Sequence, residues 1–307
     1  MLKYITTALK GTTQARAAHR RALLEQPGII SGMKELHAQC PADSTGDTEE
    51  PIFLFSAGWR SGSTMLQRLI MSDPNVFIWG EPYDECGMIQ ALASSTQAFR
   101  SGWPPAEYYY DGTPPNQLSG EWIANLFPSL EEVRKGHRAL FDTMFAEPAQ
   151  RAGTTRWGIK EVRLGVEHAH YLRWLYPKAR FIFLYRNPLD AYQSYCRYGC
   201  NWYDTFPDKP VFTATAFGNH WRKLMEGFLS DGEQLNAQII CYEDLIAGKI
   251  QLASIEQHMD IQIDHSLLKI KVGSSERSGK KAQVRWLEKW LLKRAVSPIA
   301  AKVGYTW

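Results

Sequence analysis

The stretch PIFLFSAGWRSGSTMLQRLIMSDP, residues 51–74, constrains the fold more than any other part of the chain. Ile52 to Ala57 is a short apolar run bounded by Gly58, the pattern of a strand buried on both faces, as in a parallel sheet. From Ser63 the spacing changes, and Met65, Leu66, Leu69 and Ile70 fall on one stripe of a helix. A strand that enters a helix through small residues aims several backbone N–H groups, and the positive end of the helix dipole, at one point. The connecting loop is therefore a candidate anion site.

Nucleoside triphosphates are held by loops of the form Gly-x-x-x-x-Gly-Lys-Ser/Thr, whose Lys reaches the β- and γ-phosphates. In AGWRSGST, residues 57–64, Ala57 replaces the first Gly and Ser63 replaces the Lys. The cation stands earlier, at Arg60, and Ser61, Ser63 and Thr64 surround Gly62. Such a loop can grip a single phosphate but lacks the group that neutralises a triphosphate. The competing reading is a plain helix cap by Ser63 or Thr64.

Alternation of strand and helix patterns continues downstream. TRWGIKEV (155–162), RFIFLYR (180–186) and AQIICYEDL (237–245) read as strands. Helices are predicted over 165–175, from Asn187 and Pro188 onward, and over 284–296 with Trp286 and Trp290 on one side. Helical patterning also runs over about 121–147, whereas residues 101–120, rich in Pro and Gly, read as a loop or cap. These elements predict an α/β fold: a single P-loop-like domain with a mostly parallel central sheet flanked by helices. Residues 1–39 read as mostly helical and 40–51 as a polar linker. The expected division is a helical extension and linker over 1–50 and the catalytic domain over 51–307.

Charge and cysteine usage narrow the function class. Lys plus Arg 35 against Asp plus Glu 32 gives 35 − 32 = +3, too small an excess for a nucleic-acid-wrapping protein. No run approaches the ~20 apolar residues of a membrane span. The first 24 residues, basic and without acids, have the composition of an organelle transit peptide but read as a peripheral helix, and their apolar stretch is too short and interrupted for a secretion signal. Five cysteines, at 40, 86, 196, 200 and 241, contain no Cys-x-x-Cys pair, which favours a reducing, cytoplasmic setting and no zinc site.

Several segments together resemble the sulfotransferases, enzymes that move a sulfuryl group from 3′-phosphoadenosine 5′-phosphosulfate (PAPS) and release PAP. FSAGWRSGSTMLQRLI resembles their 5′-phosphosulfate loop. RFIFLYRNPLDAYQSY resembles their 3′-phosphate motif, a strand ending in Arg followed by Asn/Asp-Pro-x-Asp and a Ser eight residues after the Arg, places filled by Arg186 and Ser194. RWGIKEVRLG resembles the strand whose Lys meets the sulfuryl end of the donor, which points to Lys160. CYEDL and the late KVGY complete a likeness covering about residues 51–306. The family often has Lys-Ser/Thr-Pro where this chain has Lys160-Glu161-Val162.

The resemblance implies roles. Gly58, Arg60, Ser61, Gly62, Ser63 and Thr64 would hold the 5′-phosphate, Lys160 the bridging oxygen, and Arg186 with Ser194 the 3′-phosphate. Arg277, in the basic GSSERSGK segment, would add a second 3′-phosphate contact. FIWGEPYDE resembles the Glu-Pro element of carbohydrate sulfotransferases, so Glu81 is the expected general base, with Asp84 and Glu85 behind it. The His used by phenol-directed members is replaced by Val162, and His168 and His170 read as packing or surface residues. Chemistry of this kind runs on protein cations, with no metal implied. The expected acceptor is a hydroxyl, carbohydrate or other alcohol, flanked by aromatic residues from Trp103, Tyr108, Tyr109 and Tyr110 and from Trp202, Tyr203 and Phe206. An ATP-using kinase and a non-catalytic PAP-binding scaffold are the alternatives.

Overall fold

A computed structural model describes residues 28–41, 49–83, 87–120, 122–197, 211–269 and 284–307. Helix α1 (Ile29–Gln39) precedes β1 (Ile52–Ser56). There follow α2 (Ser63–Ile70), β2 (Val76–Gly80), α3 (Met88–Ser94), α4 (Leu130–Phe141) and α5 (Glu147–Arg151). The second half runs β3 (Arg156–Glu161), α6 (Val166–Leu175), β4 (Arg180–Tyr185), α7 (Pro188–Arg197) and α8 (Ala214–Asp231). It ends with β5 (Ala237–Cys241), α9 (Tyr242–Ile246), α10 (Leu252–Met259) and α11 (Trp286–Ala300).

Among the described residues the strands form one sheet of order β2-β3-β1-β4-β5, with every pairing parallel. β1 is buried along its whole length, and its side chains alternate between two cores as the two-residue period of a strand requires. Phe53 and Phe55 face a large cluster with Trp157, Phe181, Phe183 and the buried sides of α6, α8 and α11. Ile52 and Leu54 face a smaller one with α2 and α10. Helix α1 belongs to the first core: Met33 and Leu36 are buried there. Gly32 lies so close to the Thr96 carbonyl that a Cβ would stand 2.1 Å from its oxygen.

Two predicted boundaries move. Of the helical structure expected from about residue 121, a 3-10 turn forms at Ile123–Asn125 and the α-helix begins only at Leu130, because Pro128 precedes Ser129, whose hydroxyl accepts from the Glu132 N–H at 3.2 Å and caps the helix. The strand expected over 237–245 stops at Cys241, where Tyr242 starts a short helix. Among the described residues no helix is long and apolar enough to cross a membrane, and Cys40, Cys196 and Cys241 are free thiols.

Topology positions the site. From β1 the chain crosses to β2 on one side of the sheet, and from β4 to β5 on the other. The loops that leave β1 and β4 therefore diverge and open a crevice at the carboxyl ends of the strands, where open α/β sheets bind ligands.

Candidate active site

The loop after β1 turns through left-handed backbone at three positions. Gly58 (φ +82°), Arg60 (φ +64°) and Gly62 (φ +88°) all occupy the left-handed region, at no steric cost for glycine and with strain for arginine. The Ser61 hydroxyl donates to the Gly58 carbonyl and draws the loop together. Gly62 is the N-cap of α2, and no side chain caps it. The N–H groups of Ser63 and Thr64, in the first helical turn, thus lack intrahelical acceptors and point with the helix dipole into the loop's hollow. Gly62 also lies against Tyr242, whose ring carbon a Cβ would meet at 2.2 Å.

Arg186, the first residue after β4, comes to the same loop. Its Nη1 donates to the Arg60 carbonyl at 3.1 Å, and its guanidinium lies 4.8 Å over the Tyr242 ring. Arg60 Nε donates to Ser194 Oγ at 3.1 Å. Three polar side chains that the sequence assigned to two phosphates thus converge. The Arg186 Nε is buried and makes no hydrogen bond, standing 3.9 Å from Glu243 Oε1. A buried guanidinium nitrogen without an acceptor fits an incoming anionic oxygen.

Residues that the sequence reading left without roles hold this arm in place. Glu243 accepts from the Asn187 N–H at 3.0 Å and from the Tyr305 hydroxyl at 2.8 Å. Trp221 Nε1 donates to the Arg186 carbonyl at 3.2 Å. CYEDL and KVGY therefore meet in space, although only their order along the chain was readable.

A second cluster lies at the ends of β2 and β3. Register pairs Gly80 with Lys160, so Glu81 emerges beside the lysine, and its N–H donates to the Lys160 carbonyl at 2.8 Å. Glu81 has φ +37° and Tyr83 φ +54°, strained values for non-glycine residues. Lys160 is 4% exposed and ion-paired with Glu81, and Arg163 Nη2 lies 3.9 Å from the other Glu81 oxygen. Glu161 is buried and receives the Arg163 fork at 3.1–3.4 Å. Burial first, then the negative charge of Glu81, pushes its carboxyl up to about 8, against the opposing Val162 N–H and the Lys160 charge.

His220 of α8 joins the two clusters. Its ring stacks on Trp59 of the β1 loop at 4.8 Å, a Cβ on Gly58 would sit 3.5 Å from its Cδ2, and it meets the Val162 backbone. Its Nε2 is buried and has no hydrogen-bond partner. Nothing in the one-dimensional pattern marked it, since α8 reads as an ordinary packed helix. His168 is buried and accepts from the Gly165 N–H at 3.1 Å, while His170 pairs with Asp231 at 2.7 Å.

Of the expected aromatic wall, Trp103 meets Tyr108 edge-on at 5.6 Å, and Tyr108 packs on Phe127 at 5.9 Å. The Tyr109 hydroxyl is buried without a hydrogen bond, and Tyr110 is exposed. Asp84, Glu85, Trp202, Tyr203, Phe206, Arg277 and the basic first 24 residues lie outside the described residues. Among the described residues no three His, Cys, Asp or Glu side chains cluster as a metal site would require.

These histidines give an acid sensitivity. Burial depresses His220 to about 4 and also lowers His168. The unfolded chain protonates His220 near pH 6.5, while the fold resists that proton until near pH 4. Stability from His220 is thus complete above pH 6.5 and falls by on the order of 3 kcal/mol as the pH drops to 4. Glu161 acts with the opposite sign from about pH 8 downward. Thermal melts of wild type and His220→Gln at pH 7.5 and pH 5 isolate the histidine: the wild type is expected to lose several degrees more than the variant, and parallel losses would refute the assignment.

Residues 51–265 match the model of the sulfotransferase family. The sulfotransferase domain of the Synechococcus PCC 7002 olefin synthase aligns at 17% identity over 86% of this chain and 98% of its own, with a TM-score of 0.45. The sulfotransferase domain from the curacin biosynthetic pathway aligns at 16% identity over 85% and 99%, also at 0.45. A sulfotransferase from Alicyclobacillus acidocaldarius aligns at 14% identity over 83% and 95%, at 0.42. No curated protein matches. The family match spans the loop after β1, the Lys160 strand and the Arg186 arm alike, and the chain belongs to the sulfotransferase family, enzymes that use PAPS.

Proposed function

We propose that the chain transfers the sulfuryl group of PAPS to a hydroxyl of a carbohydrate or other alcohol, with Glu81 as general base. The observation that carries this reading is the convergence of Arg60, Ser194 and Arg186 beside the uncapped N–H groups of Ser63 and Thr64, with Arg186 Nε lacking a hydrogen-bond acceptor. A donor with a phosphate at each end of its ribose supplies the anions such an arrangement lacks. An ATP site would need the triphosphate lysine, and Ser63 stands in its place.

Sulfuryl transfer, like phosphoryl transfer, passes through a loose in-line transition state in which positioning and electrostatics do most of the catalysis. The acceptor oxygen bonds to sulfur, the bond from sulfur to the 5′-phosphate oxygen breaks, and that oxygen keeps the electron pair. Arg60 and the loop N–H groups hold the phosphate as its charge grows. Lys160 neutralises the bridging oxygen. Glu81 takes the hydroxyl proton once Lys160 turns from its carboxylate to the donor, and Arg163 keeps the freed carboxylate in position.

Glu81→Gln tests the base. With labelled PAPS and a panel of saccharide and simple alcohol acceptors, transfer is expected to fall about 10²–10³-fold while PAP affinity stays within about threefold. Equal transfer by the variant would remove Glu81 from the chemistry. PAP binding with no transfer by the wild type to any acceptor would favour the scaffold reading.

A further inference from the structure

The outer face of α11 carries apolar rings that a chain in water would ordinarily bury. Trp286 is 77% exposed, Leu287 53% and Trp290 46%, and the C-terminal Trp307 is 43% exposed. The inner face of the helix is already spent: Leu292, Ala295, Val296 and Ile299 are buried in the main core. Trp286, Trp290 and Arg294 are spaced by four and so line one strip, turned away from that core.

Cations interleave with the rings. Arg294 lies over Trp290 at 5.6 Å and Lys293 over Trp307 at 5.8 Å, which ties the chain end to the same face. Arg285, Lys289 and Lys302 stand beside them and are exposed. Glu288, the acid of this helix, is turned inward, accepting from the Arg285 N–H at 2.8 Å and the Tyr192 hydroxyl at 3.3 Å. Among the described residues none of these five cations makes a salt bridge to a carboxylate.

We propose that this face docks on an anionic lipid surface, with Trp286, Leu287, Trp290 and Trp307 entering the headgroup zone and Arg285, Lys289, Lys293, Arg294 and Lys302 meeting lipid phosphates. Indole rings settle at the boundary between water and hydrocarbon, and a helix face that mixes Trp and Leu with Lys and Arg binds there by apolar burial plus attraction to anionic headgroups. Charge selects this occupant, because five cations with no acid turned outward among them complement the negative surface of a bilayer. The face is independent of the transfer chemistry, although α7, which carries Ser194, meets α11 through the Tyr192–Glu288 bond.

The test is cosedimentation of the full chain with phosphatidylcholine vesicles and with vesicles containing 30 mol% phosphatidylglycerol (about one lipid in three anionic), read together with tryptophan emission. Binding to the anionic vesicles is expected to exceed binding to the neutral ones by about tenfold or more, with a blue shift, and to weaken in high salt. The double variant Trp286→Ser/Trp290→Ser and the triple variant Lys289→Gln/Lys293→Gln/Arg294→Gln should each lose about tenfold or more of that binding. All five positions lie on the outer side of the helix, and unchanged PAP affinity in both variants reports an intact fold. Absence of binding to anionic vesicles overturns the proposal, as does binding that the variants leave unchanged. A concentration-dependent dimer lost in the same variants would assign the face to a second copy instead, and would equally overturn it.

Discussion

Lys160→Met is expected to lower PAPS turnover by about 10²–10³-fold, the usual loss when one donor to a developing negative charge is removed. Lys160 is buried at the end of β3, and its ammonium is committed to the Glu81 carboxylate. Methionine keeps the length and apolar packing of the stem while deleting the charge, and Arg163 remains 3.9 Å from Glu81 to hold the partner. PAP lacks the sulfuryl group, so PAP affinity should stay within about threefold while kcat and kcat/KM fall together, the signature of an interaction made only in the transition state. A loss of PAP affinity equal to the loss of turnover would recast Lys160 as a donor-binding residue.

Gly62→Ala should abolish donor binding without unfolding the protein. At φ +88° a Cβ is strained by ~1–3 kcal/mol, and here it would also stand 2.2 Å from the Tyr242 ring. That ring is not free to swing aside, since Arg186 lies over it at 4.8 Å, and forced overpacking adds ~1–3 kcal/mol. Relief must come from the loop, which displaces the N–H groups of Ser63 and Thr64 and pushes Tyr242 against Arg186. The expected result is PAP affinity reduced about 100-fold or more with a melting temperature only a few degrees lower. Near-normal PAP binding would show that the loop N–H groups do not hold the donor.

The same contact marks how far the sequence could be read. The strand, loop and helix from Ile52 to Ile70 were legible because their information is local: an apolar run, a change of period and a glycine that ends up at positive φ. Arg186 and Ser194 were singled out by resemblance to a family motif that lies within one strand-to-helix unit of nine consecutive positions. The closeness of Tyr242 to Gly62, or of His220 to Trp59, depends on how units far apart in sequence pack across the sheet, and no period or motif records it. The strand boundary at Cys241 was missed because the acids of YEDL read as the polar end of a strand, whereas Glu243 and Asp244 form the first turn of a helix. The late start of α4 was missed because residues 121–127 carry helix-like spacing ahead of Pro128. Glu81 was proposed for the site by resemblance of its Glu-Pro element, but its strained backbone and its pairing with Lys160 and Arg163 were not readable.

Isothermal titration of the full chain with PAP, and with ADP and with ATP plus magnesium, tests the central claim most directly. A crevice in which the β1 loop holds a 5′-phosphate while Arg186 and Ser194 hold a 3′-phosphate predicts PAP binding at micromolar or lower Kd, with ADP weaker by about 100-fold, because ADP leaves the Arg186 fork without its anion. Tighter binding of ATP with magnesium than of PAP would contradict the account and make the loop a triphosphate site.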